Sequence, residues 1–157
     1  MTRTLHPAAD ADAADIAELY LASRADALPS LRVVHDADDV RIWVRTVMLR
    51  HGETWVAREN SRILGFVRVD GEELSHLYLR PGHYRRGIGS ALLAKAKDLS
   101  PTRLRLFTFQ VNHPARAFYE AHGFRVVDLN DGDRNEEGEP DVLYAWAAVA
   151  DPQQSGH

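Results

Sequence analysis

The stretch from residue 74 to residue 96, LSHLYLRPGHYRRGIGSALLAKA, constrains the fold more than any other part of the chain. Its apolar start predicts a strand, which Pro81-Gly82 ends. Gly87 and Gly89 then open an amphipathic helix that we expect to run to about Lys97. A strand that leads through a glycine turn into a helix points the unpaired N–H groups of the first helical turn at an anion. The stretch therefore allows a phosphate site, a nucleic-acid contact or only a helix start.

Two known phosphate-binding patterns do not fit this turn. Gly82 and Gly87 have the glycine spacing of the nucleoside-triphosphate loop GxxxxGK[ST], but Ile88 stands where that loop requires lysine. The dinucleotide fingerprint needs a third glycine at the position of Leu92. What remains is Gly-x-Gly at the start of a helix with arginines beside it, which suits a pyrophosphate or a solvated helix start.

The length and composition of the chain narrow the class of protein. Its 157 residues suit one domain, expected over residues 1–150, with a disordered tail over 151–157. There is no cysteine, which excludes disulfides, a catalytic thiol and cysteine metal sites. No signal-peptide core and no run of about 20 apolar residues is present, so we expect a cytoplasmic protein without a membrane partner.

The net charge of −4 argues against a general nucleic-acid binder. Arg80, Arg85 and Arg86 form only a small basic footprint on an acidic protein. We therefore predict no nucleic-acid partner.

Hydrophobic periodicity predicts the element order β-α-α-β-β-β-α-β-α-β-β, an α/β fold with a mixed sheet. Asp36 and Asn112 are expected to cap the second and the last helix. The remaining predicted elements are a helix over 10–24, strands over 54–57, 63–67, 74–79 and 104–109, a short helix that ends near Gly123, and strands over 124–127 and 142–146.

A second motif, NHPARAFYEAHGF at residues 112–124, follows one strand after the glycine turn. Together, LYLRPGHYRRGIGSALL and this motif resemble the GNAT superfamily of N-acetyltransferases, which use acetyl-coenzyme A as cosubstrate. The resemblance covers residues 63–127, and the element order of the whole chain fits. It implies a mostly antiparallel sheet that splays between its fourth and fifth strands, about four flanking helices, and no metal.

The resemblance implies that backbone amides of the glycine turn hold the coenzyme A pyrophosphate. The family pattern is Gln/Arg-x-x-Gly-x-Gly/Ala, and Tyr84 stands at its first position, so Arg85 or Arg86 is expected to supply the charge. The implied coenzyme-binding residues are Leu77, Tyr78, Leu79, Tyr84, Arg85, Arg86, Gly87, Ile88, Gly89, Ser90, Asn112, Ala115, Phe118 and Tyr119.

Two catalytic roles follow from the same resemblance. The N–H of Leu79 is the implied donor to the thioester carbonyl, where it would stabilise negative charge that develops on oxygen. Tyr119 is the implied general acid that protonates the departing thiolate. The alternative for Tyr119 is a packing role against Phe118 and Phe124.

The general base is less defined by the sequence. Glu73 stands where some family members carry a catalytic glutamate, and strand alternation predicts that it shares a face with Ser75, Leu77 and Leu79. Glu72, His76 and a water molecule are the rivals, and Glu73 can equally be a solvated residue at a strand end.

The acceptor is expected to be a primary amine of a small molecule, a peptide or a protein, acetylated by direct transfer. Residues 128–141 carry a net charge of −6, and Glu136 or Glu137 is a candidate to attract a cationic amine, although a solvated loop has the same composition. His35 and Trp43 are further candidates for the acceptor wall. An acyl-coenzyme A sensor without turnover is the alternative function, and a monomer and a homodimer are both compatible with the sequence.

Overall fold

The computed structural model describes residues 3–84 and 86–149. The strands and helices are β1 (Arg3–Pro7), α1 (Ala13–Ala27), α2 (Ala37–Thr46), β2 (Glu53–Glu59), β3 (Arg62–Asp70), β4 (Glu73–Leu79), α3 (Ile88–Leu99), β5 (Arg103–Phe109), α4 (His113–Ala121), β6 (Arg125–Asn130) and β7 (Asp141–Ala147). Short 3₁₀ turns cover Asp10–Asp12 and Met48–Arg50. The predicted element order and α/β class are confirmed. The tail over 151–157 and Arg85, which is a predicted coenzyme ligand, lie outside the described residues.

The seven strands form one mixed sheet in the order β1-β2-β3-β4-β5-β7-β6. Neighbouring strands are antiparallel except β4 and β5, which run parallel. Only one residue pair, Glu73 with Arg105, joins β4 to β5. The two strands therefore separate beyond their first residues and leave a gap in the middle of the sheet, which confirms the predicted splay.

Each face of the sheet has its own core. One buried cluster joins α3 and α4 to the sheet, and Leu92, Leu106 and Tyr144 are among its members. The other joins α1 and α2 to β2 and β3 around Leu19 and Phe66. Burial of such side chains is the main favourable term in folding. Here it fixes α3 and α4 on one face of the sheet and α1 and α2 on the other.

The predicted alternation along β4 is wrong because of a β-bulge. Val69 pairs with Leu74 and Arg68 pairs with His76, so Ser75 is an extra residue in the strand. Leu74 accordingly joins the same core cluster as Leu77 and Leu79. The bulge shifts the side-chain pattern by one residue, so Glu73, which precedes Leu74, does not share the face of Leu77 and Leu79.

Both predicted helix caps are confirmed. The Asp36 carboxylate accepts a hydrogen bond from the Asp39 amide (2.8 Å), and the Asn112 side-chain oxygen accepts one from the Ala115 amide (3.3 Å). Pro114 lies in the first turn of α4, where no intrahelical N–H is lost. Among the residues that the structure describes, no helix is long and apolar enough to cross a membrane.

Candidate active site

The gap between β4 and β5 forms a cleft of about 70 Å³. Its walls come from β4, β5 and the start of α4, and β4 and α4 each carry part of the two sequence motifs. The lining residues are Leu74, Ser75, His76, Leu77, Tyr78, Leu106, Phe107, Thr108, Asn112, Ala115 and Tyr119.

Main-chain groups of β4 point into this cleft. The Arg80 amide donates to the Leu64 carbonyl across the β3 side (2.7 Å). Because successive residues of a strand direct their main-chain groups to opposite sides, the N–H groups of Leu77 and Leu79 point toward β5. No β5 residue pairs with either of them among the described residues. The cleft therefore offers a polar strand edge to an extended ligand.

Tyr119 lies on the α4 wall of the cleft and is buried. Its ring contacts Phe118 and Phe124 edge-on, with centroids 5.3 and 5.5 Å away, so the packing contacts predicted as the alternative are also present. Its hydroxyl has no hydrogen bond to any described residue, although it is not sealed from the cleft. Burial raises the pKa of Tyr119 above that of an ordinary phenol, so the hydroxyl keeps its proton at neutral pH.

Tyr78 is a second phenol in the cleft wall, and burial is the main cause of its raised pKa. Its ring lies against Tyr20, with centroids 4.9 Å apart, and stacks on Phe66 at 5.8 Å. Since Phe66 belongs to the cluster under α1 and α2, the Tyr78 side chain lies on the opposite face from Leu77 and Leu79.

The glycine turn ends at the start of α3. Gly87 has φ = +82°, in the left-handed region that favours glycine, and no side chain caps the helix. The first intrahelical bond runs from the Ala91 amide to the Gly87 carbonyl (3.1 Å). The amides of Ile88, Gly89 and Ser90 therefore have no described acceptor, which is the donor set that a pyrophosphate requires.

The absent side chain of Gly89 has a packing consequence of its own. A Cβ atom there would lie 3.4 Å from the Phe118 ring and 3.6 Å from Leu79 Cδ1, so its missing side chain leaves room for α4 and β4. Gly89 thus brings α3 close to the two walls of the cleft.

The side chains around the turn mostly contact the protein. The Arg86 guanidinium forms an ion pair with Glu59 (3.2 Å) and a hydrogen bond with His83 (2.7 Å). The Tyr84 hydroxyl donates to the Asp26 carboxylate at the end of α1 (3.0 Å). Neither of these two side chains is held toward the α3 amides.

The candidate bases lie in different environments. Glu72 forms an ion pair with Arg103 (2.7 Å). Glu73 is half-buried, lies beside Arg105 where the strands still pair, and is not among the cleft-lining residues. His76 lines the cleft, and burial, followed by the charges of Arg68 and Arg24, lowers its pKa to about 3. His76 is therefore a neutral imidazole at physiological pH.

The acidic loop between β6 and β7 contacts α1 and the segment after it. Glu137 forms an ion pair with Arg24 (3.2 Å), and Glu136 contacts His35 (2.6 Å). Arg24 also donates to the Tyr20 hydroxyl (2.8 Å). Sequence reasoning missed Arg24 and Tyr20; their spacing of four residues on one helix was the available signal.

Trp43 packs in the cluster under α1 and α2, and its ring lies 5.4 Å from the His76 ring. It is therefore a core residue that also supports a cleft-lining side chain. His35 is exposed, and Glu136 is the partner that the structure gives its side chain.

A sheet that opens between two parallel strands, beside a helix start whose first amides have no described acceptor, is the arrangement that the resemblance implies for a coenzyme A-dependent acyltransferase. Residues 50–126 match the family model described as an acetyltransferase (GNAT) domain. The peptidyl-lysine N-acetyltransferase YiaC of Escherichia coli strain K12 is 33% identical over 135 residues, or 85% of this chain and 90% of that protein.

Solved structures give the same fold. The apo form of YjaB from Escherichia coli has a TM-score of 0.78 at 21% identity, covering 95% of this chain and 100% of that one. The PaiA N-acetyltransferase of Thermoplasma acidophilum, solved with coenzyme A, has a TM-score of 0.72 at 18% identity, covering 94% and 100%. The chain belongs to the GNAT family of N-acetyltransferases. It is an acyltransferase, and acetyl-coenzyme A is its cosubstrate.

Proposed function

We propose that the enzyme transfers an acetyl group directly from acetyl-coenzyme A to the primary amine of a lysine side chain in a peptide or protein. The observation that carries this proposal is the position of Tyr119: its unpaired hydroxyl lines the same cleft into which the Leu77 and Leu79 amides point. Acyl transfer to an amine uses a general acid that protonates the leaving thiolate and a hydrogen-bond donor to the thioester carbonyl, and both groups lie on this one cleft.

The cosubstrate spans two parts of the site in this proposal. The amides of Ile88, Gly89 and Ser90, with that of Arg85 outside the described residues, hold the pyrophosphate. Asn112, Ala115 and Phe118 line the α4 side of the path, and Leu77 and Leu79 pair with the extended arm. Bound there, acetyl-coenzyme A supplies the activated thioester.

Each group of the site then has one task. The Leu79 N–H stabilises the charge that develops on the acyl oxygen as the amine attacks. Tyr119 gives its proton to the departing sulfur, and its raised pKa ensures that the proton is present. The absence of cysteine from the sequence fits attack by the amine itself, without an acyl-enzyme on sulfur.

The amine must lose a proton before it attacks. We assign this step to water in the cleft, which would relay the proton to Glu73 outside the cleft, on the other face of β4 from Leu77 and Leu79. Neutral His76 is a weak base because burial lowers its pKa to about 3. Glu72 is engaged by Arg103 on the surface. A normal pH–rate profile in Glu73→Gln would remove Glu73 from this role.

A lysine acceptor is supported by two independent points. The relative YiaC, which aligns with 85% of this chain, is a peptidyl-lysine N-acetyltransferase. The loop also places Glu136 and Glu137 on the side of α1, where each contacts one basic side chain, His35 or Arg24, and its carboxylate can accept a further hydrogen bond from an ammonium group.

An acetylation screen tests the proposal. Release of free coenzyme A thiol is measured with lysine peptides, N-terminal amine peptides, polyamines and aminoglycosides, with mass spectrometry of each product. We expect acetyl-lysine as the main product. A polyamine or an antibiotic preferred by its kcat/KM over every peptide would overturn the choice of lysine but not the acyltransferase class.

A further inference from the structure

We propose that His122 is a positioning residue in the coenzyme pyrophosphate site. When its imidazole takes up a proton, His122 frees the Ser90 hydroxyl to donate a hydrogen bond to the pyrophosphate. This inference rests on the proposed pyrophosphate site at the start of α3. It concerns His122, which no part of the proposed function uses.

The two contacts of the imidazole fix its tautomer. His122 Nδ1 lies 2.8 Å from the Phe118 carbonyl oxygen, and Nε2 lies 3.1 Å from Ser90 Oγ. A carbonyl oxygen only accepts hydrogen bonds, so Nδ1 must carry the proton. In the neutral ring Nε2 is then an acceptor, and the single hydrogen of the Ser90 hydroxyl must point at it.

This arrangement turns Ser90 away from anions. Ser90 is exposed in the first turn of α3, next to the amides that have no described acceptor. With its hydrogen engaged by His122, the hydroxyl presents only lone pairs to a phosphate oxygen, which repel it. The neutral state of His122 therefore withholds one donor from the proposed pyrophosphate site.

Protonation reverses the hydrogen bond. Nε2–H of the imidazolium donates to Ser90 Oγ, and the hydroxyl hydrogen is free to rotate toward a phosphate oxygen. The ring also gains a positive charge next to the anion. Histidine is the side chain that proteins most often use as a switch near physiological pH.

The charged groups around His122 come from two packed elements. On α3, the Lys97 ammonium donates to the His122 carbonyl (2.9 Å), and its charge lies over the Trp146 ring of β7 (4.7 Å). On α4, Glu120 accepts a hydrogen bond from the Tyr144 hydroxyl. The Phe118 ring lies against the imidazole at 4.4 Å. Lys97 thus contacts the main chain of His122, and Ser90 remains the partner of Nε2.

Dephospho-coenzyme A is the appropriate probe, because it lacks the 3′-phosphate monoester, whose second pKa near 6 would itself release or take up protons. Calorimetric titration in buffers of different ionisation enthalpy measures the protons taken up on binding. We expect the unaltered protein to take up protons when it binds dephospho-coenzyme A. We also expect its affinity for this ligand to rise roughly tenfold from pH 8 to pH 6, which is the size expected of one hydrogen bond to a charged group. His122→Gln should bind without uptake, and His6→Gln, which removes an imidazole from β1, should behave as the unaltered protein.

Ser90→Ala separates this arrangement from an ordinary serine–phosphate contact. We expect weaker binding at pH 6 and unchanged binding at pH 8, where His122 holds the hydroxyl hydrogen. Equal weakening at both pH values, or equal proton uptake in His122→Gln, would overturn the proposal.

Nitrogen-15 spectra of the ligand-free protein test the tautomer without any variant. We expect the Nδ1–H form at pH 8, and the Nε2–H form would contradict the inference. Failure of dephospho-coenzyme A to bind would contradict the pyrophosphate site as well, whereas binding without proton linkage contradicts only the role of His122.

Discussion

The hydroxyl of Tyr84 donates a hydrogen bond to the carboxylate of Asp26, at 3.0 Å. The contact ties the turn before α3 to the last residues of α1, which lies on the other side of the cleft. Tyr84 stands where the family pattern has glutamine or arginine, and its side chain links the turn before α3 to α1.

Replacing Tyr84 therefore tests whether the turn binds the coenzyme through its backbone. We expect Tyr84→Phe to change coenzyme A affinity by less than about threefold and to lower the free energy of unfolding by about 0.5 to 1 kcal/mol, the size of one partly exposed hydrogen bond. Asp26→Asn should have a similar effect on stability. A tenfold loss of affinity, measured by calorimetry, would mean that the phenol itself holds the ligand.

Gly87→Ala should weaken coenzyme binding because φ = +82° disfavours a side chain and the turn must deform. The strain costs about 1 kcal/mol of stability. Gly71→Ala is the control: it has φ = +62° and open space, and it lies in the turn between β3 and β4. Both variants should lose similar unfolding free energy in denaturant titrations, but only Gly87→Ala should lose coenzyme affinity. Equal affinities would argue against the amide site.

The carboxylates of the β6–β7 loop should affect the acceptor and not the coenzyme. We expect Glu136→Gln with Glu137→Gln to raise KM for a lysine peptide several-fold, because an attractive potential is removed. Asp131→Asn with Asp133→Asn changes the loop's charge equally and is the control. An unchanged KM for every accepted amine in the first pair would show that the loop is only solvated.

His76 should make stability sensitive to acid. Its pKa is about 3 in the folded protein and about 6.5 in the unfolded chain, so between these values only the unfolded chain takes up the proton. This contribution to stability is complete above pH 6.5 and is lost by about 1.4 kcal/mol per pH unit as the pH falls toward 3.

His76→Phe should accordingly flatten the pH dependence of the unfolding free energy between pH 6 and pH 4. His113→Gln removes an exposed imidazole at the start of α4 and should leave the slope unchanged. Identical slopes in His76→Phe and the unaltered protein would show that the imidazole is protonated in the fold.

Much of the fold could be predicted because local signals agree with it. The side chains of Asp36 and Asn112 cap α2 and α4 as predicted, and the glycine turn precedes α3 as the motif predicts. The bulge at Ser75 could not be predicted, since it depends on the pairing of β4 with β3 and leaves no mark in the alternation of residues. That one residue determines the face on which Glu73 lies.

The site was predictable where it uses the backbone and less so where it uses tertiary contacts. Gly87 and Leu79 are recognisable from their place in the motif. The contacts of His122 with Ser90 and of Glu137 with Arg24 join residues 32 and 113 positions apart, so only the folded chain brings them together.

The role of Tyr119 is the central claim, and the turnover number of Tyr119→Phe tests it most directly. Tyr78→Phe is the matched control, because it removes a second, partly buried phenol from the same cleft. With acetyl-coenzyme A and a lysine peptide, we predict that Tyr119→Phe lowers kcat roughly ten- to a thousandfold at nearly unchanged coenzyme affinity, while Tyr78→Phe retains most activity. An unchanged kcat in Tyr119→Phe, or a larger loss in Tyr78→Phe, would contradict the assignment of Tyr119 as the general acid.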